Sequence, residues 1–199
     1  MRTLAAAAML VLLGAGAASA QPYYGPPPPP PEPSRGNIIL GGGIGLGTFA
    51  VQVGDEEPED YDDAFAYELR FGGMITPRVG LGIELFGWSQ DDTEDGGEEF
   101  DVFQRNIGAF VRWWALPRLW LQGGIASARV GANSDSFGDV SYKGVGVSFG
   151  IGFEILHAPK YALDIGLRVA GAGYDTEDEL GEDLKTNSAA LGLAFNWFF

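Results

Sequence analysis

The chain closes on Ser188-Ala189-Ala190-Leu191-Gly192-Leu193-Ala194-Phe195-Asn196-Trp197-Phe198-Phe199. Leu191, Leu193, Phe195, Trp197 and Phe199 take every second position, while Ala190, Gly192, Ala194 and Asn196 between them are small or polar. Successive side chains of a strand point to opposite faces, so this stretch has one greasy face and one lean face. Twelve residues at roughly 3.3 Å each, tilted by about 40°, reach about 30 Å, the thickness of a bilayer's hydrocarbon core.

The same alternation recurs upstream, beginning at Asn37. Ile38, Leu40, Ile44 and Leu46 oppose Gly41, Gly43, Gly45 and Gly47 in a first strand. A second sets Phe65, Tyr67, Leu69, Phe71 and Ile75 against Ala66, Glu68, Arg70 and Gly72. Val79, Leu81, Ile83 and Leu85 face away from Gly80, Gly82, Glu84 and Phe86 in the third. The fourth opposes Phe103, Ile107, Ala109, Val111 and Trp113 to Gln104, Asn106, Phe110 and Arg112. Leu119, Leu121 and Ile125 begin a fifth whose alternation fails after Ala126, where a β-bulge is expected. Val145 to Ile155 on odd positions against Gly144 to Glu154 on even ones make a sixth, and Tyr161, Leu163, Ile165, Leu167 and Val169 a seventh. With the closing segment there are eight strands, the even count of an antiparallel up-and-down barrel.

The connections alternate in kind. Thr76-Pro77-Arg78, Leu116-Pro117-Arg118 and Ala158-Pro159-Lys160 are short, pair proline with a base, and recur 40 and 42 residues apart. Proline presets φ for a tight turn and is out of place in a paired strand. The other four, about Gly54–Asp63, Gln90–Asp101, Gly131–Val140 and Tyr174–Lys185, are long and hold 22 of the 27 acidic residues. Short turns at one end and long loops at the other are the pattern of a barrel that spans a membrane.

An apolar-inside soluble barrel would show the same alternation, and volume rules it out. The greasy faces carry about three dozen large side chains, whereas the interior of an eight-stranded barrel holds only a modest number. The lean faces carry only seven charges, Glu68, Arg70, Glu84, Arg112, Glu154, Asp164 and Arg168, too few for a water-exposed surface. The greasy face therefore looks out into lipid. The lean face looks in, with its charges paired across the lumen and Phe86, Trp88, Phe110, Trp114 and Trp120 filling the space that the glycines leave. Trp113, Tyr161, Trp197 and Phe199 near the short turns, and Phe65, Tyr67 and Phe103 near the loops, form the two aromatic girdles of the interfaces.

Residues 1–20 read as a signal peptide: Arg2, an apolar Ala5–Leu13 stretch, and Ala18-Ser19-Ala20 before the cleavage point. Residues 21–36 read as a proline-rich periplasmic leader, extended by Pro26 to Pro31, which serves as a stiff spacer or a ligand for a proline-recognising partner. Residues 37–199 are the barrel domain.

The alternating strands and the Phe-terminated closing strand resemble the small OmpA/OmpX-type outer-membrane β-barrel family of Gram-negative bacteria. The resemblance covers Asn37–Phe199, rests on architecture, and implies an eight-stranded transmembrane β-barrel in the cell outer membrane with both termini periplasmic. It implies contact with outer-membrane lipids and lipopolysaccharide, and recognition of the C-terminal strand ending at Phe199 by the barrel-assembly machinery. No peptidoglycan-binding domain is expected after Phe199.

Chemistry is sparse. Cys is absent, which removes disulfides, thiolate metal sites and a lipoprotein anchor, and a net charge of −15 opposes binding to nucleic acid. His157, the only histidine, lies at a short turn, the wrong end for an outer-leaflet hydrolase, and reads as a polar interface residue. Asp91-Asp92-Thr93-Glu94-Asp95-Gly96-Gly97-Glu98-Glu99 has oxygens but not EF-hand spacing, so loose divalent-cation binding is the most it supports. No catalytic, cofactor-binding or metal-ligating residue is assigned and no cofactor is expected. Two readings follow: a monomeric, non-enzymatic barrel with an envelope-integrity or surface-interaction role through its acidic loops, or a narrow channel for ions or small solutes. An outer-leaflet lipid-modifying enzyme is the third and weakest.

Overall fold

The computed structural model describes residues 35–54, 58–93, 99–134, 138–174, 176 and 183–199. The segments read as signal peptide and proline run, and the side chains of Asp91–Glu99, lie outside the described residues. Eight strands follow one another: β1 (Ile38–Val53), β2 (Glu59–Thr76), β3 (Val79–Thr93), β4 (Glu99–Trp114), β5 (Leu119–Ser134), β6 (Gly138–His157), β7 (Tyr161–Tyr174) and β8 (Leu184–Phe198). Each pairs antiparallel with its neighbours in sequence, and β8 closes on β1 from Ile39↔Phe198 to Val53↔Leu184. Closure leaves no sheet edge, so every strand finds hydrogen-bond partners on both sides without water.

The outer surface is the greasy face. Ile44, Ile107, Ile125 and Val145 are 64–72 % exposed, and each strand contributes large apolar side chains to the same belt. Near the short turns Tyr161, Phe195, Trp197 and Phe199 form a ladder of ring contacts with centroids 5.6–6.0 Å apart. Amphipathic rings at that level suit a membrane interface. Leu193 lies midway along β8 between this aromatic ladder and exposed Asn187. Leu193→Arg is therefore expected to destabilise the barrel in vesicles by about 2–4 kcal/mol and Asn187→Arg by at most about 1 kcal/mol, read from urea midpoints.

The strands run 14 to 20 residues, well beyond the 9–11 residues or so that a tilted strand needs to cross a bilayer. Much of what the sequence reading assigns to long loops is therefore paired strand: β3 continues to Thr93 and β6 begins at Gly138. In this extension the polarity inverts. Ala128, Val130, Ala172, Tyr174 and Leu184 point inward as one buried cluster, while Ser127, Arg129, Lys143, Lys185 and Asn187 face out. Once a strand leaves lipid, water covers its outer face and the apolar side chains turn inward.

That inversion also corrects the expectation of a bulge after Ala126. β5 pairs with β4 and β6 without a register shift along its whole length. The alternation continues; only the side that carries the apolar residues changes. Bulges occur elsewhere. β2 shifts register against β1 near Asp63, whose φ is 61°, a left-handed conformation that Asp tolerates better than bulkier residues. β6 shifts against β7 between Glu154 and Leu156.

Candidate functional site: a closed ionic ring in the lumen

The inward faces place six of the seven predicted charges at one level, where they form a closed circuit. Arg168 on β7 donates to both oxygens of Glu84 on β3, at 2.9 and 3.0 Å, and to Glu68 on β2 at 2.7 Å. Gln122 on β5 donates to Glu84 at 2.6 Å and accepts from Arg112 Nε at 2.8 Å. Arg112 on β4 reaches Asp164 at 3.1 Å, and Asn196 on β8 donates to the same carboxylate oxygen at 2.8 Å. Arg70 then donates to Asn196 at 2.8 Å and closes the ring in a close contact with Glu68.

Three carboxylates face three guanidiniums, so the ring is formally neutral, as buried charges must be arranged. Two of the cations also lie over aromatic faces: Arg112 is 3.9 Å from the centre of the Trp120 ring and Arg168 is 4.5 Å from that of Phe86. Removed from water, such contacts are worth up to about 2 kcal/mol. Glycines make the space. A Cβ on Gly152 would sit 2.2 Å from the Trp120 ring, so only glycine lets that indole cross the lumen there.

Apolar layers cap the ring on both sides. Toward the loops, Phe49, Phe86, Trp88, Val102 and five buried alanines pack together. Toward the short turns, Ile39, Trp114, Trp120, Ala162 and Phe198 do the same. A cavity of about 50 Å³ remains beside the ring, lined by Glu68, Trp88, Trp120, Asp164 and Arg168. The indole nitrogens of Trp88 and Trp120 and the Oδ1 of Asp164 find no partner among the described residues.

The seventh charge, Glu154, lies apart from the ring, in the mouth at the short-turn end. Its carboxylate, only 1 % exposed, accepts from Trp114 Nε1 at 2.6 Å and from Arg35 at 2.9 Å, and lies 2.5 Å from His157 Nδ1. Residues three apart in a regular strand face opposite sides; the bulge at Ile155 returns His157 to the side of Glu154. Arg35 also lies over Trp114 at 4.4 Å and donates to the carbonyl of Pro117. The sequence reading places Arg35 in the leader, yet it supplies the fourth cation for the fourth inward carboxylate. The imbalance of four acids and three bases on the lean faces was the signal that one cation remained to be found. Gln122 escapes the sequence reading because only the apolar face of the fifth strand, Leu119, Leu121 and Ile125, is followed there and an uncharged inward residue stands out less than a charged one.

The described residues contain no cluster of His, Asp and Glu able to hold a metal ion. His157 meets a carboxylate already engaged by two other donors.

The model of the outer membrane protein beta-barrel domain matches residues 5–196. The chain belongs to this outer-membrane β-barrel family. No curated protein sequence matches it. Among solved structures it resembles Ail, the attachment invasion locus protein of Yersinia pestis, in complex with the heparin analogue sucrose octasulfate. The two are 14 % identical with a TM-score of 0.57, over 81 % of this chain and 99 % of that one. It resembles Neisserial surface protein A at 14 % identity and a TM-score of 0.54, over 81 % of this chain and 97 % of that one. At such identities the likeness establishes the fold, an eight-stranded outer-membrane barrel.

Proposed function

We propose that this outer-membrane barrel is a closed, non-enzymatic envelope protein whose surface role is carried by its acidic loop end. The observation that supports this most directly is the lumen, where a hydrogen-bonded ionic ring lies between two apolar layers. A barrel that conducts needs a continuous wet path, and both aromatic layers interrupt it. The 22 acidic residues in the loop segments favour cationic or loosely divalent-bridged partners. They disfavour a polysulfated sugar of the kind held by Ail. In this reading residues 1–20 are a removed signal peptide, residues 21–36 a periplasmic leader, both termini face the periplasm, and the C-terminal strand with Phe199 engages the assembly machinery. The barrel acts as a monomer.

A narrow channel is the second reading, favoured by the cavity beside the ring and its unpartnered polar atoms. Planar-bilayer recording decides between the two. The purified barrel is expected to give no steady conductance. Steady ohmic steps from the wild type, abolished by filling the cavity with Gly166→Leu, would establish the channel instead.

A further inference from the structure

Arg105 on β4 is the direct partner of Arg129 on β5, and Arg129 is the direct partner of Lys143 on β6. All three side chains are exposed on the outer surface. Paired strands lie about 4.8 Å apart, so the three cations stand side by side within about 10 Å. Like charges directly opposite one another destabilise a sheet. In a chain of net charge −15, surplus carboxylates could have relieved that repulsion, yet among the described residues no carboxylate forms an ion pair with any of the three. Among the residues whose side chains are described, the nearest acid on the same face of these strands is Asp101, four residues toward the loops from Arg105. Lys185, the other outward base at this end, does pair, with Asp183 at 3.5 Å.

The height of the row is as informative as its charge. On each strand the next outward positions toward the short turns open the apolar belt: Ile107 on β4, Ile125 beyond Ser127 on β5, and Val145 on β6. Each cation therefore sits at the upper limit of its own strand's lipid-facing run, where long basic side chains reach from hydrocarbon to headgroups. Arg105 is also held in place. Its guanidinium lies 4.8 Å from the centre of the Phe103 ring, and Tyr67 approaches it from across β3. Tyr67 can cross there because Gly87 has no side chain: a Cβ would stand 2.6 Å from the hydroxyl oxygen.

We infer that Arg105, Arg129 and Lys143 form a binding site for the phosphate groups of a phosphorylated glycolipid in the outer leaflet. Clustered guanidinium and ammonium groups bind phosphate oxygens through short, charge-assisted hydrogen bonds. A headgroup bearing more than one phosphate neutralises the row as no described neighbouring side chain does. The site rests on the reading that the loop end faces outward.

The test uses the full chain in detergent micelles, titrated with bisphosphorylated lipid A or its dephosphorylated form and followed by native mass spectrometry. At about 1 kcal/mol per cation, R105Q/R129Q/K143Q is expected to bind the bisphosphorylated form about a hundredfold more weakly than wild type. Both proteins should bind the dephosphorylated form equally, and in phosphate-free detergent the variant should melt no lower than wild type. R78Q/R118Q/K160Q, which neutralises the short-turn bases, should retain wild-type affinity. Equal binding of the phosphorylated lipid by wild type and the loop-end variant overturns the site, as does an equal loss from the short-turn variant. Displacement of bound lipid A by equimolar inorganic phosphate would show a free-anion site and overturn the lipid assignment. Orientation is read separately: Ser141→Cys should react with an impermeant maleimide on intact cells. Reaction only after permeabilisation overturns the outward loop end, whatever the titration shows.

Discussion

Replacing Arg168 with methionine is expected to lower the stability of the folded barrel by about 3–5 kcal/mol, the cost of leaving buried charge without its partner. Arg168 is the one cation of the ring that bridges two carboxylates, Glu68 at 2.7 Å and Glu84 at 2.9 Å. Without it three acids face two bases in a lumen from which water is largely excluded. Urea unfolding in vesicles reads the effect as a lower midpoint at unchanged slope. Adding Glu84→Met restores formal neutrality and should recover much of the loss, since an ion pair replaced by apolar groups is often neutral for stability. Arg168→Lys should remain well below wild type, because an ammonium cannot grip both oxygens of Glu84 and one of Glu68 from a planar fork. A Met variant as stable as wild type would mean that the ring contributes nothing and that the apolar layers alone hold the lumen.

Trp120→Ala is the second large effect, with about 3–5 kcal/mol lost. Its indole fills the space over Gly150, Gly152 and Gly166 and lies under the guanidinium of Arg112. Truncation leaves a void and removes the aromatic face from a cation that is only 1 % exposed. A Cβ on Gly150 would meet Trp120 at 3.3 Å and its next neighbour, the Leu167 carbonyl, at 3.5 Å. Gly150→Leu alone should therefore be destabilising, by about 1–3 kcal/mol from overpacking. In the Trp120→Ala background it should instead raise the unfolding midpoint. Independent, additive losses in the double variant would show that Gly150 and Trp120 do not share one space.

Most of the architecture is legible in one dimension because a strand's two faces are written at alternate positions. The eight strands, the outward greasy face and the inward Glu68, Arg70, Glu84, Arg112, Glu154, Asp164 and Arg168 follow from that periodicity and from a volume argument. Periodicity misleads only where the solvent changes. Beyond Ala126 the apolar residues move to the other face, which resembles a slip in register although β5 is regular there. The same change of solvent makes paired strand ends such as Gln90 to Thr93 look like acidic loop. Phe198 illustrates a further limit: among the three consecutive aromatics Trp197, Phe198 and Phe199 it is the one that turns inward, against Trp114 and Ile39.

What the sequence by itself determined is the fold, its membrane face and the set of charges inside, since these depend on composition and on a local period of two residues. Only the tertiary structure decided who meets whom. Arg168 lies 84 residues from Glu84, Arg35 lies 119 residues from Glu154, and Arg105, Arg129 and Lys143 line up only through the register of three strands. Register arises from the turns, the bulges and the closure of the whole sheet together, so no single stretch of the chain contains it.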